Sequence, residues 1–241
     1  MKTLKILHLY YDLLNLYGEN GNVRYLLSKL KEQQIPYELE LKSLNEPIYF
    51  RDYDIVYIGT GTEHSIKLAL DDIMKYRQDI YEAMKKSYYI ITGDAVALFS
   101  KEIHYLNGDI KKGLYLLDST AYEVEENIVG EQKYSCSVIN RPVIGFQNRK
   151  FKIECFKEHH PFIVEVGNSF NNSPEETREG IMHEQVFSTF LTGPFLVRNP
   201  HFTDYIIKQI CKMFDIEYKQ PDTNKTAYIA YSEYLKNFHS K

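Results

Sequence analysis

The chain has 241 residues, with 29 Lys and Arg against 33 Asp and Glu, a formal net charge of −4, and 44% hydrophobic residues. That length holds one large α/β domain or two small ones, with a core that needs neither disulfide nor metal. Mixed charge without a basic stripe argues against nucleic acid or an anionic membrane surface as partner, and no stretch approaches the ~20 apolar residues that span a bilayer.

The start, Met1 to Tyr10, holds an apolar run too short for a signal peptide and reads as a first strand, with Ile6 to Tyr10 apolar on both faces as in a buried parallel strand. A loop follows from Tyr11 to Gly21. Val23, Leu26, Leu27 and Leu30 then recur on one helical face. Strands are predicted at Tyr37–Leu44 and Asp54–Ile58, the latter ending on Gly59-Thr60-Gly61. A helix is predicted over Ser65–Lys85, a strand at Tyr88–Ile91, and the start of another helix at Asp94–Phe99. Strands alternating with helices imply a doubly wound, mostly parallel sheet flanked by helices. From Gly113 to Phe190 the pattern changes to short β-like runs: Tyr134–Ile139, Val143–Phe146, Phe151–Cys155, Ile163–Val166 and Val186–Phe190. These read as an antiparallel or mixed extension of that sheet. Asn199-Pro200 offers an N-cap and first-turn proline for a helix burying Phe202, Ile206, Ile210 and Met213. Residues 1–218 are expected to form one domain, and 219–241 a polar tail with at most a short peripheral helix.

Cys136, Cys155 and Cys211 are odd in number and lack metal-ligand spacing, which fits a reduced, cytoplasmic protein. Glu158-His159-His160 stands alone on a predicted loop, without the second ligand cluster that a metal site needs. Neither metal nor cofactor is expected.

Four segments, in order, resemble one family. They are Leu9 to Asn22 (LYYDLLNLYGENGN), Gly145-Phe146-Gln147-Asn148, Gly167 to Asn172 with Glu179-Gly180-Ile181, and Val186 to Pro200 (VFSTFLTGPFLVRNP). Each is weak alone. Together they cover nearly the whole chain and resemble the cobyric-acid-synthase-like branch of class I glutamine amidotransferases, most closely the small-subunit (GatD) family of lipid II isoglutaminyl synthases. The resemblance implies a flavodoxin-like α/β fold of that class, an ammonia-supplying role in cell-wall amidation, and a Mur-ligase-like synthetase as partner.

It also implies which residues should do chemistry, and those are replaced. Glutamine hydrolysis needs a thiolate on a strand-to-helix elbow, a histidine, and backbone donors for an oxyanion. Where the family reads Cys-Gly-Gly-Tyr-Gln, this chain reads Thr92-Gly93-Asp94-Ala95-Val96. Where the family has histidine before Gly-Pro, Thr192 precedes Gly193-Pro194. Asn127, before Ile128-Val129-Gly130, stands for an arginine that helps hold substrate, and Thr60 replaces a glycine of the oxyanion loop Gly59-Thr60-Gly61-Thr62. An internal threonine has no N-terminal amine to activate it.

The expected pocket is therefore Gly59, Thr60, Gly61, Gly93, Asp94 and Asn127 around an inactive Thr92 and Thr192, with Thr192 in a loop facing Thr92. The expected function is a catalytically degenerate partner or regulatory subunit. Two other readings stay open: an active or altered glutaminase supplying ammonia, with His64 or His183 as base for Thr92, and a sensor binding glutamine or another small metabolite. If the pocket keeps the family's shape, Thr92→Cys with Thr192→His is expected to yield a thiol alkylated faster than any native cysteine, aided by the helix starting near Asp94.

Overall fold

The computed structural model describes residues 2–136, 138–155, 163–164, 178–183 and 185–238. The first half alternates strand and helix: β1 (Leu4–Leu9), α1 (Asn20–Glu32), β2 (Tyr37–Lys42), β3 (Ile55–Ile58), α2 (Glu63–Ile73), α3 (Arg77–Ala83) and β4 (Tyr88–Thr92). Strands β3 and β4 are buried at every position, which explains their unbroken apolar runs. Alternate residues feed two cores. Leu7, Leu9, Val56, Ile58, Tyr89 and Ile91 pack on the side of α2 and α3. Ile6, Ile55, Tyr57, Tyr88 and Ile90 pack on the other side with Val23, Leu26 and Leu30 of α1.

Between residues 65 and 85 the structure has two helices in place of the single one expected, separated by a 3-10 turn at Met74–Tyr76. The break falls where the chain is anchored to a neighbouring loop. Asp72 accepts from the Tyr10 hydroxyl at 2.8 Å, and the Tyr76 hydroxyl donates to the Glu46 carbonyl at 3.1 Å. The segment after β4 also departs from expectation. Gly93–Phe99 is a 3-10 helix and is wholly buried. Its last carbonyls turn aside to accept from the amides of Leu114, Leu116 and Leu117, so no α-helix propagates.

The middle of the chain forms a second sheet rather than an extension of the first. β5 (Glu102–His104), β6 (Ile110–Lys112), β7 (Ser119–Cys136), β8 (Arg141–Cys155), β9 (Ile163–Val164) and β10 (Arg178–Glu179) run in the order β10-β9-β7-β5-β6, with β8 against β7. The long β7–β8 hairpin is antiparallel, with an irregularity between Glu123 and Ile128. The sequence pattern divides this hairpin into fragments because its outer stretch is polar and exposed.

β11 (Ile181–His183) and β12 (Val186–Thr189) return to the first sheet, whose order is β11-β12-β4-β3-β1-β2. β12 lies parallel to β4, and β11 is an antiparallel edge. The fold is thus a doubly wound α/β sheet with an added, mostly antiparallel β part, in which only β5 and β7 run parallel among the described strands. The turn at Asn168–Pro174 and the Glu158-His159-His160 run lie outside the described residues.

α4 (Phe195–Arg198) and α5 (Pro200–Met213) follow, with Phe202, Ile206 and Ile210 buried as expected. Asn199 does not cap α5 with its side chain. Its amide instead grips β8, accepting from the Ile144 amide at 2.7 Å and donating to the Ile144 carbonyl at 2.6 Å. The segment after residue 218 is tied to the core. Lys219 and Gln33 exchange two hydrogen bonds of 2.7 Å, and Tyr228 and Tyr231 of α6 (Thr226–Asn237) are buried. The Tyr228 hydroxyl meets buried Lys29 at 2.7 Å, and Lys29 pairs with Asp204 at 2.7 Å.

Candidate functional site

The C-terminal ends of parallel strands are where a doubly wound sheet leaves backbone and side chains free to meet a ligand. Here β3 ends at Ile58 and enters Gly59-Thr60-Gly61, β4 ends at Thr92, and β12 ends at Thr189, which is in register with Thr92. The loop after β1 closes over the same end. A Cβ on Gly59 would lie 2.5 Å from the Leu14 carbonyl oxygen and 2.7 Å from the Glu19 Cβ, so only glycine lets that loop pass.

Thr92 is fully buried. Its hydroxyl donates to the Glu19 carboxylate and lies 2.7 Å from the Tyr57 hydroxyl, which donates to the same carboxylate oxygen. Asn22 completes the cluster, donating to Tyr57 at 2.8 Å and to Glu19 at 3.2 Å, while its own carbonyl accepts from the Leu196 amide at 2.7 Å. Burial raises the Glu19 pKa, with the three hydrogen bonds opposing that shift, and one carboxylate oxygen has no hydrogen-bond partner among the described residues. The His8 ring stands edge-on to Tyr57 at 5.2 Å, and burial lowers its pKa to about 4, so it is neutral.

Gly93 adopts φ +63°, and a Cβ there would sit 2.3 Å from the Thr60 Cβ. The Thr60 side chain therefore lies against the elbow, and its hydroxyl accepts the Asp94 amide at 3.0 Å. The Asp94 carboxylate accepts from the Lys150 amide of β8 at 3.1 Å, and burial pushes its pKa up to about 7. Thr192 is buried beside Phe146. Its hydroxyl donates to the Phe146 carbonyl at 2.9 Å and its amide to the same carbonyl at 2.8 Å. Thr92 and Thr192 thus share one end of the sheet, but each hydroxyl is spent on a different partner.

Asn127 is not brought against Thr92. It is exposed on β7 and donates to the Asn148 side chain at 2.9 Å. A buried cation near the elbow is Arg149, which sequence reasoning misses although it directly follows the Gly-Phe-Gln-Asn segment. Arg149 is buried, with its guanidinium 4.3 Å from the Phe190 ring centre, and its charge acts on both Glu179 and Asp94. Glu179 accepts from the Thr189 hydroxyl at 2.7 Å and the Phe190 amide at 2.5 Å, and burial raises its pKa. Sequence reasoning also misses Glu19, Asn22 and Tyr57 as a unit. Gly18-Glu19-Asn20-Gly21-Asn22 stands out in the sequence only as a motif, because spacing does not show that it folds under β4.

Of the two histidines considered as a base, His64 is not placed for it. His64 is exposed in the first turn of α2, whose Thr62 caps the helix by accepting from the Ser65 amide at 3.2 Å. His183 pairs with Val186, which aligns with Tyr89, about 10 Å back along the strands from the Thr92 level. Cys136 and Cys211 are buried free thiols away from the elbow, and burial pushes the Cys136 pKa up to about 11. Among the described residues no group of three or more His, Cys, Asp or Glu is arranged for a metal, and no helix is long and apolar enough to cross a membrane.

No family model matches the chain. It is 25% identical over 238 residues, 98% of this chain and 96% of the relative, to the GatD subunit of the glutamine-hydrolysing lipid II isoglutaminyl synthase of Staphylococcus aureus. It is 23% identical over 211 residues, 87% of this chain and 81% of the relative, to the GatD subunit of Streptococcus pneumoniae. Among solved structures, a glutamine amidotransferase superposes with a TM-score of 0.56 at 12% identity, over 85% of this chain and 98% of the other. By fold, by four motifs in order and by similarity over nearly its whole length to GatD subunits, the chain is a class I glutamine amidotransferase-like protein.

Proposed function

We propose that this chain is a GatD-like subunit that has given up glutamine hydrolysis and serves a Mur-ligase-like synthetase in cell-wall metabolism as a structural or regulatory partner. The observation that carries the reading is the state of Thr92: fully buried, its hydroxyl committed to Glu19 and Tyr57. An attacking oxygen must reach a carbonyl carbon and lose its proton as it does so. At position 92 no surface is open to a carbonyl. The other expected positions support the same reading. Thr192 directs its hydroxyl to a backbone carbonyl, and Thr60 takes up the Asp94 amide that would otherwise point toward a developing oxyanion. Gly59, Gly61 and Gly93 keep the backbone path of a pocket whose interior is now filled by side chains of the chain itself.

The partner is inferred from the relatives, which are named subunits of a synthase. Affinity capture from the native host is expected to recover a Mur-ligase-like synthetase, and the isolated chain is expected to release no ammonia from glutamine. Ammonia release that Thr92→Ala abolishes would sink the loss of catalysis. Capture without any synthetase, repeated with crosslinker, would sink the partnership.

A further inference from the structure

The main sheet ends on β2, and residues 38–41 of that strand are exposed. Their backbone orientation follows from the ladder with β1. The Pro36 and Lys42 carbonyls accept from the Leu4 and Tyr10 amides, at 2.9 and 2.7 Å, so even-numbered residues of this segment turn their backbone groups toward β1. Odd-numbered residues, Tyr37, Leu39 and Leu41, turn theirs outward. An open edge of this kind is a template for another strand.

We propose that the occupant is a second copy of this chain, whose own β2 adds antiparallel about a twofold axis at Glu40. Two copies of one strand must satisfy each other, residue i facing j and j facing i. Outward-turned residues can bond only to outward-turned residues, which leaves odd against odd. With the axis at Glu40, Leu39 faces Leu41 of the second copy in a hydrogen-bonded pair, twice over. Glu38 faces Lys42 in the closer, non-bonded pair, also twice. The leucines are 39% and 44% exposed and lie on one face, so the pairing gathers four of them into a single apolar strip. Moving the axis to Leu39 sets Glu38 against Glu40. Moving it to Leu41 sets Leu39 against Ser43, past the strand end at Lys42. The like charges that meet at the Glu40 axis are blunted within each copy, because Tyr53 donates to Glu40 and Lys42 pairs with it at 3.0 Å.

Six residues a side make a small interface, below the ~1,200 Å² of stable complexes, so association in about the micromolar range is expected. The edge is three strands from β4, and the proposal stands independently of any partner at the elbow.

Sedimentation equilibrium of the full chain from about 5 to 200 μM tests it, a range set by that weak-interface expectation. The average mass should rise toward twice the monomer value with concentration. Lys42→Glu alone and Glu38→Lys alone should each hold the chain monomeric by placing like charges across the pair. Combining the two should restore the dimer, since the exchanged side chains would again set opposite charges across the pair. Leu41→Pro removes an outward amide and spares the ladder to β1, so it should also abolish association. If that variant misfolds by circular dichroism, the charge exchange still decides. A chain monomeric throughout, a dimer that survives Lys42→Glu, or a double variant that stays monomeric overturns the proposal. So does a wild-type monomer whose β2 crosslinks to a different protein.

Discussion

Helix α1 and the turn before it carry two buried polar clusters with opposite logic. In one, Lys29 is matched by Asp204 at 2.7 Å and Glu32 at 3.3 Å, with the Tyr228 hydroxyl and ring against it. In the other, among the described residues, Glu19 meets only neutral donors, Thr92, Tyr57 and Asn22, and one of its oxygens has no partner. The first is what a burial site for charge looks like when its work is to join α1, α5 and α6. The second leaves an acid uncompensated, which is costly in a low-dielectric interior. It sits under the strand end where the relatives' chemistry is expected. Local free energy is thus held in reserve at the elbow and not at the α6 seam.

Removing one partner from the balanced cluster gives the largest expected effect. Asp204→Ala leaves buried Lys29 with Glu32 as its remaining acidic partner and should cost about 3 kcal/mol, read by urea unfolding. A loss under about 0.5 kcal/mol, the size of an ordinary surface change, would mean that Lys29 reaches water and the contrast between the clusters is false.

The elbow side should respond to pH. The folded-state pKa of Asp94, about 7, lies above its unfolded value, so the folded state holds the proton in the window between them. Stability is therefore greatest below the unfolded pKa and falls as pH rises toward 7. Asp94→Asn should remove most of that fall, a gain on the order of 2 kcal/mol at pH 8 and little at pH 4. Melting temperatures across that range check it, and a variant that tracks wild type at every pH contradicts it. Glu19→Gln keeps an acceptor for its three donors and removes the charge. Burial also raises the Glu19 pKa in the folded state, so the same sign holds, and the variant should gain stability over wild type as pH rises, read from the same melting series.

The smallest expected effect is an absence of effect. The family resemblance alone leads to a reactive thiol in Thr92→Cys with Thr192→His. The structure reverses that expectation. Position 92 is fully buried, the Asp94 amide just after it is taken up by the Thr60 hydroxyl, and the Glu19 carboxylate would raise a thiol pKa. Iodoacetamide should label the double variant no faster than Cys136 or Cys211. Adding Thr60→Gly, which frees the Asp94 amide, is the change most suited to reopening the site, and labelling that then overtakes the native thiols would show how much of the closure rests on Thr60.

The strands of the main sheet are legible in the sequence because burial on both faces writes an unbroken apolar run, as in Tyr88–Thr92. Their neighbours are less so. That β12 lies beside β4 is a long-range pairing, and nothing local to Val186–Thr189 distinguishes it from the β runs before it. The positions of Thr92 and Thr192 at one end of the sheet follow from motif order. Their bonding partners do not. Glu19, Tyr57 and Arg149 come from three separate segments, and only the folded chain shows that burial, not charge pairing, dominates around them. Asn127 goes astray for a related reason. It falls within the hairpin irregularity between Glu123 and Ile128, where it is exposed, a local shift that residue types do not announce.

The register of Val186 with Tyr89 has a consequence for how the chain comes to be made. β4 is a central strand, yet the neighbour that covers its second edge emerges roughly a hundred residues later, on the order of 5–20 s into synthesis at ordinary elongation rates. Throughout that interval a largely apolar strand presents open amides and carbonyls on one side. Such non-local closure slows folding and leaves a sticky intermediate. Yield from overexpression should therefore depend on translation speed and temperature more steeply than on the stability of the finished fold.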